Sequence, residues 1–331
     1  MTRIAINGFG RIGRATLKAG WGNPKFNVVA INDLTDAKTL AHLLKYDSVY
    51  GKWKAKVEVK GNALIIDGKK IPILAEREPL KLPWNKMKVD VVIESTGFFT
   101  TFEQASMHIS AGAKRVIISA PAKGGNVPTN VIGVNDKEIK KGKAKVINNA
   151  SCTTNCVAPV TAIMNEAFGV EKAILTTIHA MTSTQNIVDG PSKDLRRARS
   201  ASLNMVPTST GAAIAVTETI PELAGKFDGL SVRIPLAIVS LSDITFVLKK
   251  NVTVESVHQA FRKAVKTSRF KNIVGITEEE LVSSDFIGDP HSAIVDFGLT
   301  RVVDGNLVKI VAWYDNEWGY AHRLSELAIS L

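Results

Sequence analysis

A chain of 331 residues with 45% hydrophobic content has material for two domains of roughly 150 residues with sizeable cores, an ordinary soluble globular protein. Its 42 Lys and Arg against 31 Asp and Glu give a formal charge of +11. The lysines are scattered rather than gathered in one basic, aromatic-interleaved patch, so an anionic small substrate suits the charge as well as nucleic acid does. No apolar stretch approaches the roughly 20 residues that span a bilayer, and no charged-then-apolar leader opens the chain, so no membrane partner and a cytoplasmic location are expected.

The first strand-like run, Thr2 to Asn7, leads into Gly8-Phe9-Gly10-Arg11-Ile12-Gly13, and Asp33 ends the next strand-like run twenty residues after Gly13. This is a dinucleotide-binding fingerprint. Gly8 permits the tight turn, Gly10 lets the backbone approach a pyrophosphate, Gly13 allows close helix packing, and the helix opening near Arg11 aims N–H groups at phosphates. The Asp33 carboxylate can accept from a ribose and would repel a 2′-phosphate, which favours NAD over NADP.

A helix over Asp36 to Lys45 is expected next, then a β-rich insertion with period-two segments around 56–60, 63–67 and 70–74 joined by Gly61-Asn62 and Asp67-Gly68 turns. Val89 to Glu94, a helical run from Thr101 to Ala111 and Lys114 to Ser119 resume the strand–helix alternation of a doubly wound parallel sheet. Two strand ends carry small polar or glycine residues, Ser95-Thr96-Gly97 and Ser119-Ala120-Pro121, and each is equally a cofactor-floor position or a routine strand exit.

Beyond residue 150 the texture changes. Longer strands (Glu171 to His179, Leu230 to Pro235, Ile238 to Lys250) and helices near Gly211 to Leu223 and Glu255 to Thr267 point to a mixed second domain. Between His179 and Gly211 lies a long aperiodic segment carrying Arg196-Arg197-Ala198-Arg199. A loop of this length is usually functional or covered by another subunit.

Cys152 follows a strand-like run and opens an apolar-periodic one, closed by Gly169. That places its thiol at a helix start, where the dipole should stabilise a thiolate and lower the pKa. The ordinary alternative is a small buried core residue, which is how Cys156 reads. The two cysteines are too few for a disulfide framework and lack partners for a zinc site, so no metal is expected. His179, ending a strand-like run, is the candidate base, although alone it reads more readily as a structural histidine. Ser151, Thr153, Thr154 and the Pro207-to-Gly211 segment offer hydroxyls and amides to anions, and Arg197 and Arg233 offer cations. Plain N-caps and surface charges are the alternatives. Combined, these groups suggest a thiolate that attacks an aldehyde, hydride transfer from the thiohemiacetal to NAD, and cleavage of the thioester by an anion, with His179 handling protons.

Ser151-Cys-Thr-Thr-Asn-Cys156, Pro207-Thr-Ser-Thr-Gly-Ala-Ala213, Trp313-Tyr-Asp-Asn-Glu-Trp-Gly-Tyr320 and Ala5-Ile-Asn-Gly-Phe-Gly-Arg-Ile-Gly-Arg14 resemble phosphorylating glyceraldehyde-3-phosphate dehydrogenase. The likeness runs from residue 2 to the C-terminus. It implies an α/β chain with a Rossmann-type NAD-binding domain over 1–150, onto which a C-terminal helix, 316–331, packs back, and a mixed α+β catalytic domain over 151–315. The implied activity is oxidation of glyceraldehyde 3-phosphate with NAD and inorganic phosphate, by a homotetramer, in glycolysis or gluconeogenesis. By motif, Cys152 would be the nucleophile and His179 the base. Gly8, Arg11, Ile12, Asn32, Asp33, Arg77, Thr96, Ser119, Asn316 and Tyr320 would contact NAD. Ser151, Thr153, Thr210 and Gly211 would bind the attacking phosphate, and Thr182, Arg197 and Arg233 the phosphate of the substrate. The loop of roughly 180–205 would pack on a neighbouring subunit.

Three places depart from that pattern: Ile214 stands for a usual Lys, Arg233 to Ser240 lacks Thr-Pro-Asn after its proline, and Ser183-Thr184 replaces Asn-Asp or Ala-Asp. They bear on fine specificity and turnover. The rival enzyme is erythrose-4-phosphate dehydrogenase, with water in place of phosphate, against which the intact Thr-Ser-Thr-Gly-Ala-Ala segment argues. The rival from another class is a nucleic-acid-binding or scaffold protein on the same fold, suggested by the charge and the Arg196–Arg199 cluster.

Overall fold

Apolar runs buried on both sides, such as Val91-Val-Ile-Glu94 with all four residues buried, can only be central strands of a covered sheet. The computed structural model describes residues 1–124, 127–136 and 144–331, and they fall into two units. The first comprises Met1–Asn130, 144–150 and Ala321–Leu331, the second 131–136 and Ser151–Tyr320.

In the first unit, β1 (Thr2–Asn7), β2 (Phe26–Asn32), β8 (Val91–Glu94), β9 (Arg115–Ile118) and β10 (Val146–Asn148) are linked in parallel. The insertion supplies a two-residue hairpin, β3 (Tyr46–Asp47) and β4 (Gly51–Lys52), then β5 (Val57–Val59), β6 (Ala63–Ile66) and β7 (Lys69–Leu74). Strand β7 joins β2 in parallel, and β6 and β5 follow antiparallel, giving the order β10-β9-β8-β1-β2-β7-β6-β5. The order reverses at β1, and the crevice beyond the carboxyl ends of β1, β2 and β8 is where such sheets bind ligands. Helix α1 (Arg11–Gly20) follows β1 directly, α2 (Ala37–Lys45) is capped by the Asp36 side chain, and α3 (Phe102–Ser110) starts on a Thr101–Gln104 capping box. This is the doubly wound Rossmann-type α/β sheet expected from the residues.

The second unit is a seven-stranded mixed sheet, β12-β13-β11-β14-β17-β16-β15. Its strands are β11 (Val170–Ala180), β12 (Val206–Ser209), β13 (Phe227–Ile234), β14 (Ser240–Leu248), β15 (Val274–Thr277), β16 (Ala293–Val303) and β17 (Leu307–Tyr314). Along β14 buried and half-buried residues alternate strictly, the signature of a sheet covered on one face. Periodicity did not signal the short edge strand β12 within the long aperiodic segment. The helix Cys152–Phe168 keeps Pro159 in its interior, at the cost of the backbone bond to the Asn155 carbonyl, and ends at Gly169 with φ 72°.

Candidate active site

Two sites emerge, one in each unit. The first is a cavity of about 470 Å³ lined by Asn7, Gly8, Gly10, Asn32, Asp33, Leu34, Glu76, Arg77, Ser95, Thr96, Phe98 and Phe99. The glycine pattern shapes it. Gly8 has φ 89°, and a Cβ there would lie 2.6 Å from the Thr96 nitrogen, whereas one on Gly10 would meet nothing within 4 Å. The backbone at Gly10 is thus open to a ligand, as a pyrophosphate requires. Asp33 accepts from Phe9 N at 2.7 Å and Thr35 N at 2.9 Å, which holds its carboxylate at the cavity wall. These residues suit a dinucleotide.

Of the expected cofactor residues, the cavity collects Gly8, Gly10, Asn32, Asp33, Arg77 and Thr96. Gly13 packs against the Gly8 carbonyl instead, with 2.2 Å to a hypothetical Cβ. Arg11 turns its guanidinium to Asp47, at 3.2 Å, and over the Tyr50 ring. Ile12 is half-buried in α1, and Ser119 follows β9, its N–H bound to Glu94 O at 2.9 Å. Leu34, Glu76, Phe98 and Phe99 had not been expected in the cavity. The available hints were apolar side chains in turn contexts, Leu34 directly after the acid and Phe98 after Gly97, which are 54% and 79% exposed.

The second site lies at the ends of β11, β13, β14 and β17. Parallel pairing sets His179 beside Arg233, and antiparallel pairing sets Ser240 beside Tyr314. Cys152 begins its helix after Ser151, whose hydroxyl accepts from Thr154 N at 3.0 Å. The Cys152 Sγ lies 3.4 Å from His179 Nε2. On the far side of the imidazole, Nδ1 is 2.7 Å from the Ala180 carbonyl and 2.5 Å from Arg233 Nη1. A carbonyl only accepts and a guanidinium only donates, so the two call for opposite tautomers at Nδ1; Arg233 Nη1 also reaches Ala180 O at 3.2 Å and keeps that acceptor when Nδ1 carries the proton. With the proton on Nδ1 given to Ala180 O, the Nε2 lone pair faces the thiol and can accept its proton.

Burial first, and the Arg233 cation second, hold the His179 pKa down at about 3, so the ring is neutral near pH 7. The helix start was expected to lower the pKa of Cys152, yet burial pushes its thiol up, outweighing the opposing pull of Arg233 and the Thr153 N–H. Near pH 7 the pair is a thiol facing a neutral imidazole. Cys156 is fully buried and its thiol is likewise pushed up by burial.

Beneath the pair runs a chain of hydroxyls that sequence did not reveal. Thr177 donates to Leu241 O at 3.2 Å, and Tyr314 Oη lies 2.9 Å from both Thr177 and Thr153. Ser240 accepts from Ala180 N at 3.1 Å and donates to Asn316 Oδ1 at 3.0 Å, fixing that amide. The preceding Val239 has φ 67° and is buried, a strained conformation for a β-branched residue.

The remaining anion candidates lie around the strand β12 and the loop before it. Arg197 donates through Nε to Thr208 at 2.8 Å and faces Asp194, Thr210 accepts from Ala212 N at 3.2 Å, and Thr182 pairs with Thr184 at 2.8 Å. Gly211 caps the helix Ala212–Thr219 with open space beside it. Tyr320 is buried in the helix Trp318–Ser330. In the basic cluster, Arg197 and Arg199 pair with Asp194 and Asp189, so two of its three charges are answered within the loop.

Residues 2–102 match the model of the glyceraldehyde 3-phosphate dehydrogenase NAD binding domain, and residues 151–316 that of the C-terminal domain. Similar curated proteins extend the match over the whole chain. Glyceraldehyde-3-phosphate dehydrogenase 1 of Bacillus cereus is 52% identical over 99% of this chain and 98% of its own length. The dehydrogenase of Geobacillus stearothermophilus is 51% identical over 98% and 97%, and that of Borreliella burgdorferi 50% over 99% of each.

The chain belongs to the glyceraldehyde-3-phosphate dehydrogenase family. Its first unit carries the family's NAD-binding domain, NAD is the cofactor, and the chain is an NAD-dependent oxidoreductase. The erythrose 4-phosphate and scaffold alternatives are not favoured by these relatives. Among the described residues no helix is long and apolar enough to cross a membrane, and no group of His, Cys, Asp and Glu is arranged to hold a metal ion.

Proposed function

We propose that this protein oxidises D-glyceraldehyde 3-phosphate to 1,3-bisphosphoglycerate with NAD and inorganic phosphate, in glycolysis or gluconeogenesis. The observation that carries it is the 3.4 Å approach of Cys152 Sγ to His179 Nε2, with Arg233 paired beside that histidine, in a chain matching both domains of the family.

Bound NAD supplies the hydride acceptor. Gly8, Gly10, Asp33, Arg77, Thr96 and Asn316, its amide oriented by Ser240, are assigned to it. Gly13 shapes the phosphate turn. Arg11, Ile12, Asn32, Ser119 and Tyr320 complete the proposed cofactor set. Cys152 adds through sulfur to the aldehyde carbon and its proton passes to His179 Nε2. His179 Nε2 then passes that proton to the carbonyl oxygen, which becomes a hydroxyl, and is free to accept again. As the C–H hydride departs, His179 takes the hydroxyl proton and a thioester remains on Cys152. A phosphate oxygen then attacks the thioester carbon, the C–S bond breaks, and the sulfur recovers the proton held on His179 Nε2. Thr182, Arg197 and Arg233 hold the phosphate of the substrate, while Ser151, Thr153, Thr210 and Gly211 hold the attacking phosphate.

Binding an anion at Arg233 draws the guanidinium off Nδ1. That leaves Ala180 O as the sole partner, so the substrate itself completes the tautomer that accepts from the thiol. A homotetramer in the cytoplasm is the assembly proposed. In its favour, Ile187, Val188, Leu195, Leu203 and Met205 of one loop are each more than 70% exposed, an apolar surface that suits a subunit contact.

The test is NADH formation from glyceraldehyde 3-phosphate with and without inorganic phosphate, with erythrose 4-phosphate in parallel. Phosphate-dependent turnover of the triose is expected. Preference for the tetrose, or indifference to phosphate, would overturn the assignment and point to the segment after Arg233 and to Ile214, which is 67% exposed on its helix.

A further inference from the structure

A buried polar assembly in the first unit lies behind the cofactor cavity rather than in it. Glu94 ends β8 and is 1% exposed, yet four groups converge on its carboxylate. Oε2 accepts from Asn7 Nδ2 at 2.5 Å and from His108 Nε2 at 3.0 Å. Oε1 accepts from Thr96 N at 2.8 Å and is bonded to the Thr96 hydroxyl. The tautomer of His108, itself fully buried, is set from behind. The indole N–H of Trp84, which can only donate, lies 3.0 Å from Nδ1, so Nδ1 accepts and Nε2 carries the proton given to Glu94.

The carboxylate also orders the cavity wall. Because it accepts on both oxygens, the Asn7 amide must turn its NH₂ inward and its oxygen toward Asn32, from which it accepts at 2.6 Å. The Asn32 oxygen is then left to accept from Glu76 N at 2.9 Å. On the other side, Thr96 is held so that its oxygen accepts from Phe98 N at 3.1 Å, at the cavity lip. Asn7, Asn32, Glu76, Thr96 and Phe98 all line the cavity, whereas Glu94 does not.

We propose that Glu94 is the positioning residue of the cofactor cavity: its acceptor-only carboxylate sets the amide direction of Asn7 and Asn32 and seats Thr96, with His108 and Trp84 locking it in place. This rests on the NAD assignment of the cavity. An isosteric amide cannot replace the carboxylate, because Asn7 and His108 demand an acceptor on one side and the Thr96 N–H demands one on the other. Glutamine offers only one oxygen, so a buried donor loses its partner.

The experiment is calorimetric titration of the whole chain with NAD, alongside melting of the NAD-free protein and steady-state kinetics. Glu94→Gln is expected to weaken NAD binding about tenfold or more and to raise the KM for NAD more than it lowers kcat. A folded Glu94→Gln protein that binds NAD as the wild type does would overturn the inference alone. A wild type that binds no NAD would overturn the cofactor reading and this inference with it. Should Glu94→Gln fail to fold, His108→Gln and His108→Leu decide. The glutamine keeps a donor for Glu94 and should stay within about threefold of wild type, while the leucine should bind NAD at least fivefold more weakly. Equal binding by the two would overturn the proposal.

Discussion

The cofactor cavity and the thiol site use polar groups in opposite ways. Around the cavity the acids are answered within the fold: Asp33 by two backbone N–H groups, Glu94 by Asn7, Thr96 and His108. At the thiol site two groups compete for His179 Nδ1, burial disfavours the charged forms of both Cys152 and His179, and Val239 sits in a strained conformation next to Ser240. A wall that must hold one conformation is best satisfied before the ligand arrives, whereas a reacting pair must stay neutral until an anion rearranges its charges. Preorganisation belongs to the first site and unresolved competition to the second.

The largest effect that separates the sites should come from Cys152→Ala. Turnover should fall by about 10⁴-fold or more while calorimetric NAD affinity stays within a few-fold of wild type; a parallel loss of both would erase the distinction. His179→Gln should lower kcat by about 10²–10⁴-fold. It should also flatten the acid side of the stability profile. The buried ring stays neutral down to about pH 3, whereas the unfolded ring takes a proton below about 6.5. This residue's contribution is therefore intact above pH 6.5 and declines as pH falls toward 3, with a slope of up to about 1.4 kcal/mol per pH unit. Denaturant melts at pH 7.5 and 4.5 should show wild type losing more stability than His179→Gln.

A third effect sharpens the competition argument. If Arg233 restrains His179, saturating sulfate or Arg233→Leu should raise the imidazole pKa by at least about one unit, followed by ¹⁵N NMR of the ring; no movement would leave burial as the whole cause. On the cavity side, Asp33→Ala should narrow the preference for NAD over NADP by about tenfold, and an unchanged ratio of kcat/KM values would move selectivity elsewhere. Smallest of all, Tyr314→Phe removes the hydroxyl bridging Thr153 and Thr177 and should cost about 1–2 kcal/mol of stability with less than tenfold loss in kcat.

Much of this was legible in the chain. The cofactor wall follows from local order: strand, glycine turn and acid are close in sequence, and each acts through backbone geometry. The helix bearing Cys152 was likewise evident from Ser151, the apolar period and Gly169. Strand β12 was not, because a four-residue edge strand in an aperiodic loop carries no repeating signal. Nor was the thiol's titration, since a helix start is a local feature whereas desolvation is imposed by residues distant in the chain.

By itself the sequence determined the doubly wound sheet, the phosphate turn, the acid beside it and the helix start at Cys152, all of which rest on short-range patterns. Only the tertiary structure decided that Arg233 lies against His179, that Tyr314 bridges two threonines beneath the thiol, and that Glu94 directs a cavity it does not line. Those relations join residues 54, 161 and 87 positions apart. Such separations leave no periodic trace; strand register sets His179 beside Arg233 and Asn7 beside Glu94, and helix-on-sheet packing brings Thr153 to Tyr314.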